Sequence, residues 1–133
     1  MKILFICRAN VGRSQMAQAL YNQEASSKSS SAGTKVEIEN QKISDRPLAK
    51  PVIDFMKNEG IDISNNTTNQ VTPQMLNEFD KIIVMAEPET IPSFLLNNHK
   101  TIIWDIEDPK GKIGKELEKI VLEIKNKLKT LVK

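Results

Sequence analysis

Residues 2–14 read KILFICRANVGRS, and the predicted architecture starts from them. Its first part is a short apolar run that ends at Cys7, and such a run predicts a buried β-strand. A polar turn containing Gly12 follows, and from Ser14 to about Glu24 apolar side chains recur at the spacing of a helix. The stretch therefore predicts a strand, a tight loop and a helix in direct succession.

Three more segments of the chain have the composition of strands. Apolar runs predict a buried strand at residues 81–85 (KIIVM) and a further strand at residues 101–104 (TIIW). The serine-rich residues 26–31, which lead into the Ala-Gly-Thr at 32–34, predict a loop or a weak edge strand. The chain is thus expected to form a sheet that begins with the strand before Cys7.

Helical patterns separate these strands. Pro47 opens one helix, whose apolar residues recur at helical spacing, and Gly60 ends it as a C-cap. Residues 72–79, which begin Thr-Pro, predict a short capped helix, and residues 88–97 predict another. Strands that alternate with helices predict an α/β fold in which helices cover both faces of a parallel sheet.

The last segment has the most regular pattern in the chain. Its apolar residues recur at spacings of three and four, with Lys and Glu between them: Leu117, Ile120, Val121, Ile124, Leu128, Leu131 and Val132. Such a helix could lie on a membrane surface or bind a partner. We favour a closing helix that packs on the sheet, because the period is complete and the polar face carries both charge signs.

Length and composition restrict the class of protein. With 133 residues, 39% of them hydrophobic and 27% charged, we expect one globular domain spanning residues 1–133. The net charge of +2 comes from interspersed basic and acidic residues, which gives no argument for a nucleic-acid partner. No stretch has the pattern of a signal peptide or approaches the roughly 20 apolar residues of a membrane span.

The chain contains one cysteine, Cys7, and one histidine, His99. These residues can form neither an intramolecular disulfide nor a structural zinc site. We therefore expect a soluble cytoplasmic protein without a membrane partner, in which the lone thiol stays reduced.

The loop between the first strand and the first helix has the composition of an oxyanion site. Cys7 and Arg13 are six positions apart, at the carboxyl end of a strand, where open parallel sheets bind ligands. Backbone N–H groups ahead of a helix suit a tetrahedral oxyanion, and the guanidinium of Arg13 can pair two oxygens at once. Gly12 permits a tight loop, and Asn10 tolerates left-handed backbone. The predicted phosphate-binding residues are Arg8, Ala9, Asn10, Val11, Gly12, Arg13 and Ser14.

The same surroundings suit Cys7 to be a nucleophile. Positive charge and the helix dipole favour the thiolate over the thiol, and Ser14 could donate a hydrogen bond to it. The competing interpretation is a buried structural thiol, the usual role of a lone cysteine, and a Cys-x5-Arg pattern alone often arises by chance. Its position between an apolar strand and a helix, with Ser14 following, favours the nucleophile.

A thiolate that attacks a phosphate ester expels a poor leaving group, so the reaction needs a general acid. Residues 104–111 read WDIEDPKG and offer three carboxylates just after a strand, hence at the same sheet edge as Cys7. Asp108 is our first choice, because Pro109 holds it in an extended conformation, and Asp105 is second. His99 lies in a polar loop and is predicted to be a surface residue without a role.

These segments resemble the low-molecular-weight protein tyrosine phosphatases and the related thioredoxin-coupled arsenate reductases, which share one fold. Residues 3–20 (ILFICRANVGRSQMAQAL), residues 31–34 (SAGT) and the Asp-Pro pair at 108–109 carry most of the resemblance. It extends in outline over the whole chain, including residues 60–64 (GIDIS) and 80–85 (DKIIVM). The resemblance implies four parallel strands flanked by helices, and a two-step reaction without a metal or cofactor.

In the reaction that the resemblance implies, Cys7 attacks phosphorus and forms a phosphocysteine. Arg13 and the loop amides stabilise the transferring group. Asp108 protonates the leaving oxygen and then activates water. The implied partner is a phosphorylated protein or a small phosphomonoester.

The chain departs from the family pattern at three places. Many of the phosphatases carry a second loop cysteine that protects the first, and this chain has Gly12 there. They commonly have aromatic residues after the Asp-Pro pair, where this chain has Lys110 and Gly111. The reductases relay a disulfide through cysteines near the strand that ends at Met85, and these 133 residues contain no second thiol.

Three functions are compatible with the sequence. The first is a cysteine-dependent phosphatase acting on phosphotyrosine or another phosphomonoester. The second is an arsenate reductase that uses an external thiol of the glutathione or mycothiol type. Only the first cysteine is then required, and residues 14–17 (SQMA) and 60–64 resemble that branch more closely. The third is a non-catalytic binder of an oxyanion or a phosphopeptide.

Overall fold

The computed structural model describes residues 1–25 and 28–131, in which four strands form one parallel sheet. The strands follow the spatial order β2-β1-β3-β4, where β1 is Ile3–Cys7, β2 is Ser29–Gly33, β3 is Lys81–Val84 and β4 is Thr101–Ile103. All three pairings are parallel, so the carboxyl ends of the strands share one edge. The serine-rich segment is an edge strand, as predicted, although its residues 26 and 27 lie outside the described residues.

The helices in the described part of the chain confirm the predicted α/β fold. They are α1 (Arg13–Glu24), α2 (Lys50–Asn58), α3 (Ser93–Leu96) and α4 (Gly114–Leu128), with short 3-10 helices at Ile43–Asp45, Gln74–Glu78 and Pro88–Thr90. Side chains alternate across each strand and so enter two apolar cores. One core joins Phe5 to buried residues of α1, α2 and α4, and the other joins Leu4 to Leu76 and Leu95.

Helix α4 confirms the prediction of a closing helix. Its residues Leu117, Ile120, Val121, Ile124 and Leu128 are buried in the first core, while most of its Lys and Glu side chains face solvent. Leu131 is also buried just beyond the helix, and Val132 lies outside the described residues. Among the helices described, none is long and apolar enough to cross a lipid bilayer.

Two segments differ from the predictions. Residues 88–97 form a 3-10 helix and the four-residue α3 instead of one helix, because Pro92 lacks a backbone N–H and its ring disfavours helical backbone before it. Helix α2 begins at Lys50 rather than Pro47, because Leu48 has a φ of +66°, in the left-handed region. Residues 47–49 instead line the pocket that contains Cys7.

Candidate active site

Cys7 is the last residue of β1, and a loop of residues 8–12 leads directly from it into α1. The backbone carbonyl oxygens of Cys7 and Arg8 accept hydrogen bonds from the N–H groups of Thr34 and Lys35, each at 2.9 Å. Asn10 has a φ of +59°, the left-handed conformation expected for this residue type in such a loop. The loop is therefore fixed against the residues that follow the neighbouring strand β2.

Two buried polar side chains, Asn10 and Ser14, form a hydrogen-bonded chain that leads to the thiol. Asn10 Nδ2 donates a hydrogen bond to Ser14 Oγ at 2.8 Å, and Asn10 Oδ1 accepts one from the Asn69 N–H at 2.8 Å. Ser14 Oγ in turn lies 3.0 Å from Cys7 Sγ. Because Oγ already accepts a hydrogen bond from Asn10, its own hydrogen is free to be donated to the sulfur.

Gly33 allows the loop to approach β2 closely. A Cβ atom at this position would lie 2.6 Å from the carbonyl oxygen of Arg8 and 3.0 Å from the backbone nitrogen of Asn10. These neighbours are backbone atoms, which cannot move aside without distorting the loop. Only glycine therefore fits where β2 meets the loop.

We expect Gly33→Ala to lower the free energy of unfolding by about 1–3 kcal/mol, because the added methyl group overpacks a rigid contact. Urea denaturation measures the change. Ser30→Ala, at an exposed position of the same strand, is the matched control and should be nearly neutral. Equal stabilities of the Gly33→Ala protein and the parent would show that the loop adjusts at no cost.

The guanidinium of Arg13 is held from several directions. Its side chain is 3% exposed, and Nη1 donates hydrogen bonds to the carbonyl oxygens of Met85 at 2.6 Å and Ile106 at 3.0 Å. Nη1 and Nη2 donate to the two oxygens of Glu87, at 2.9 and 3.2 Å. Nε is buried and has no hydrogen-bond acceptor among the described residues.

Glu87 is a site residue that the sequence pattern did not reveal. Burial acts to lower the pKa of Arg13, but the Glu87 hydrogen bond and the charges of Cys7, Glu87 and Asp108 outweigh it and raise that pKa. Conversely, the Arg13 hydrogen bond lowers the pKa of Glu87. Glu87 follows β3 at the sheet edge where β1 ends, so its position after a buried strand was the available signal.

The structure brings Asp108, rather than Asp105 or His99, to Cys7. Asp108 lines the same pocket as Cys7, its Oδ2 lies 3.9 Å from Arg13 Nη2, and its side chain is 47% exposed. Its Oδ1 accepts a hydrogen bond from the Lys110 N–H at 3.0 Å. Asp105 and His99 are exposed, and neither lines the pocket.

The pocket around Cys7 has a volume of about 530 Å³. Its apolar wall comes from Val11 and from Pro47, Leu48, Ala49 and Val52 at the start of α2. Its charged residues are Arg8, Arg13, Lys35, Glu37, Arg46, Asp108 and Lys110. No aromatic side chain among the described residues lines the pocket.

Gly12 is the loop residue directly before Arg13, where the family resemblance led us to note the lack of a second cysteine. A Cβ atom on Gly12 would lie 2.7 Å from Cγ of Pro109, so the proline ring packs directly on the glycine. Pro109 is buried, and it follows Asp108 in the chain. The residue after the candidate acid thus fills the space that a side chain at position 12 would need.

The chain is similar in sequence to known proteins. A family model for low molecular weight phosphotyrosine protein phosphatase matches residues 2–133. Arsenate reductase 2 of Staphylococcus haemolyticus is 30% identical over 129 residues, which cover 96% of this chain and 93% of that protein.

Two solved structures are similar over nearly their whole length. A low molecular weight protein tyrosine phosphatase from T. tengcongensis superposes with a TM-score of 0.79 at 24% identity, covering 99% of this chain and 97% of that one. An arsenate reductase from Archaeoglobus fulgidus superposes with a TM-score of 0.73 at 28% identity and covers 98% of each chain. The chain belongs to the low molecular weight phosphotyrosine protein phosphatase family, and arsenate reductases are among the proteins similar to it.

Proposed function

We propose that this protein is a phosphatase that hydrolyses phosphate monoesters through a phosphocysteine intermediate, acting as a single domain of residues 1–133. The observation that carries the proposal is the meeting of Cys7, Arg13 and Asp108 in one pocket, although Asp108 is distant from the other two in sequence. Cys7 supplies the nucleophile, Arg13 binds the phosphoryl oxygens and Asp108 donates a proton.

In the first step, the Cys7 thiolate attacks phosphorus, so that a sulfur–phosphorus bond forms and the ester oxygen–phosphorus bond breaks. Asp108 gives its proton to the leaving oxygen, which would otherwise depart as an alkoxide or phenoxide. In the second step, the Asp108 carboxylate takes a proton from water. The water oxygen attacks phosphorus and releases inorganic phosphate and the Cys7 thiolate.

Arg13 is the side chain we assign to the oxygens of the phosphoryl group. Its Nη1 hydrogen bonds to Met85, Ile106 and Glu87 fix the guanidinium before any substrate arrives. A phosphoryl oxygen would supply the acceptor that the buried Nε lacks among the described residues. Such preorganised donors stabilise the transition state without the cost of reorienting during the reaction.

The predicted phosphate-binding residues divide into two groups. Arg8, Ala9, Val11 and Gly12 line the pocket with Arg13, and we assign their backbone to the phosphate cradle. Asn10 and Ser14 are fully buried and do not line it, so their proposed role is to position the loop and the Cys7 sulfur.

Leu48 forms part of the wall that we assign to the organic group of the substrate. The side chain is 57% exposed and its φ of +66° is unfavourable for leucine. We expect Leu48→Gly to raise KM for phenyl phosphate about threefold to tenfold, from roughly 1 kcal/mol of lost apolar contact. Protein stability should hold or increase, because glycine adopts positive φ without strain.

Steady-state kinetics and thermal melting measure both effects of Leu48→Gly. Inhibition by inorganic phosphate is the internal control and should not change, because in the proposed binding mode phosphate would contact only the loop and Arg13. An unchanged KM for phenyl phosphate would show that the substrate does not use this wall.

Turnover of p-nitrophenyl phosphate between about pH 5 and 8 tests the proposed function. We expect a burst of p-nitrophenol at high enzyme concentration if phosphocysteine hydrolysis is the slower step. If the reduced protein binds phosphate but shows no turnover, the assignment as a phosphatase would be rejected in favour of a non-catalytic binder.

A second candidate function is arsenate reduction, which the 30% identity to a staphylococcal arsenate reductase favours. Arsenate would bind in the same cradle, and the Cys7 sulfur would form a bond to arsenic while an arsenic–oxygen bond breaks and water leaves. Because the 133-residue sequence contains no second thiol, an external thiol would attack the Cys7 sulfur and release arsenite. A second external thiol would then reduce the mixed disulfide, so that two thiols are oxidised for each arsenate.

Arsenate-dependent consumption of glutathione or mycothiol distinguishes this candidate from the phosphatase. If the protein is a phosphatase, we expect consumption no faster than in the protein-free control. Rapid stoichiometric oxidation of two thiols per arsenite would support the reductase.

We also propose that the protein acts in the cytoplasm, where the single thiol stays reduced.

A further inference from the structure

The mouth of the Cys7 pocket carries a concentration of positive charge. Five cationic and two anionic side chains line the pocket, an excess of three, whereas the net charge of the whole chain is only +2. Glu87 does not line the pocket, but its carboxylate offsets the charge of Arg13. The other charged residues of the pocket are four cations and two anions, so an excess of two positive charges remains to attract an anionic ligand.

Three of these cations have no carboxylate partner among the described residues. Arg46 is paired with Glu37 at 2.9 Å, and Arg13 is paired with Glu87. By contrast, the exposed side chains of Arg8, Lys35 and Lys110 make no ion pair in the described part of the chain. Their charge is thus available to a ligand.

Backbone hydrogen bonds fix the positions of the residues that carry these three cations. The Lys35 N–H donates to the Arg8 carbonyl oxygen at 2.9 Å, which places the two residues side by side at the loop. The Lys110 N–H donates to Asp108 Oδ1 at 3.0 Å, which places Lys110 beside the candidate acid. Lys110 lines the same pocket as Lys35, from a different segment of the chain.

We propose that Arg8, Lys35 and Lys110 form an anion subsite that selects phosphomonoesters whose organic group carries a second negative charge. The proposal rests on the proposed function, because it assigns the substrate class of the same pocket. The phosphate end would bind the loop and Arg13, the organic part would lie along Leu48 and Val52, and its anionic group would reach the pocket mouth. The same field would disfavour esters whose organic group is cationic.

Three aryl phosphates of similar leaving-group chemistry test the subsite. They are 4-(phosphooxy)phenylacetate, 4-(phosphooxy)phenylacetamide and O-phosphotyramine, whose organic groups are anionic, neutral and cationic. At low ionic strength we expect kcat/KM to fall about threefold to tenfold at each step of this series. In about 1 M salt the differences should shrink, because the Debye length falls to about 3 Å.

Variants connect this preference to the three cations. Combining Arg8→Gln, Lys35→Gln and Lys110→Gln should bring the three probes to similar kcat/KM values. Lys119→Gln on the exposed face of α4 removes one charge outside the pocket and should leave the series unchanged. Equal kcat/KM values in the parent protein, or a series that persists in the triple variant, would overturn the proposal.

Binding measurements separate failure of the subsite from failure of the phosphatase. Calorimetric titration of the three probes into the Cys7→Ser protein measures the charge preference without turnover. If the parent hydrolyses none of the probes but the affinities keep the expected order, the phosphatase proposal fails and the anion subsite stands. Equal affinities would reject the subsite, whatever the activity of the parent.

Discussion

The Cys7→Ser protein is expected to lose hydrolysis of p-nitrophenyl phosphate by about 10⁴-fold or more. The serine hydroxyl is not ionised at neutral pH, and neither Ser14 nor Arg13 can take its proton, so the variant lacks an effective nucleophile. Phosphate binding should be retained, because the loop amides and Arg13 are unchanged. Stopped assays at high enzyme concentration measure the residual rate, and calorimetry measures phosphate affinity.

The thermal midpoint of Cys7→Ser is the control for this result. Sγ is buried and contacts Ser14, so a change of one atom should shift the midpoint by only a few degrees. Hydrolysis within tenfold of the parent, in protein free of parental contamination, would refute the assignment of Cys7 as nucleophile.

The second large effect is expected for Asp108→Asn. Asparagine retains an oxygen that can accept the Lys110 N–H, so the turn is preserved while the transferable proton is lost. We expect kcat for phenyl phosphate to fall about 10²–10⁴-fold. The fall should be smaller for p-nitrophenyl phosphate, whose leaving group departs more readily without protonation. Parallel kinetics with the two esters measure this difference.

Asp105→Asn is the matched control, because Asp105 lies in the same segment but outside the pocket. Its kinetics should equal those of the parent protein for both esters. An unchanged Asp108→Asn protein beside an inactive Asp105→Asn protein would transfer the role of general acid to Asp105.

The elements that the sequence predicted well are those with a strong local pattern. The strands before Cys7 and at 81–85 bury short apolar runs, and α4 buries apolar residues that recur at helical spacing. The local pattern of apolar residues therefore indicates all three elements. The break at Pro92 and the late start of α2 depend on single backbone conformations. An apolar pattern does not encode these conformations, and the predicted helices were therefore too long.

The candidate site was predictable where topology alone brings residues together. Cys7 ends β1, Arg13 begins α1 and Asp108 follows β4, and parallel strands place such residues at one edge. The ion pair between Arg13 and Glu87 and the wall containing Leu48 depend on side-chain packing between distant segments. No local signal specifies those contacts, although they decide how the guanidinium is held and what the organic group meets.

The packing of Pro109 on Gly12 also constrains how this chain could evolve. A change of Gly12 to cysteine would force its Cβ against the proline ring, so this substitution requires Pro109 to move. Because Asp108 precedes Pro109 and the proline favours its extended conformation, that movement would also disturb the candidate acid. In this chain, a second loop thiol is therefore coupled to the position of the general acid.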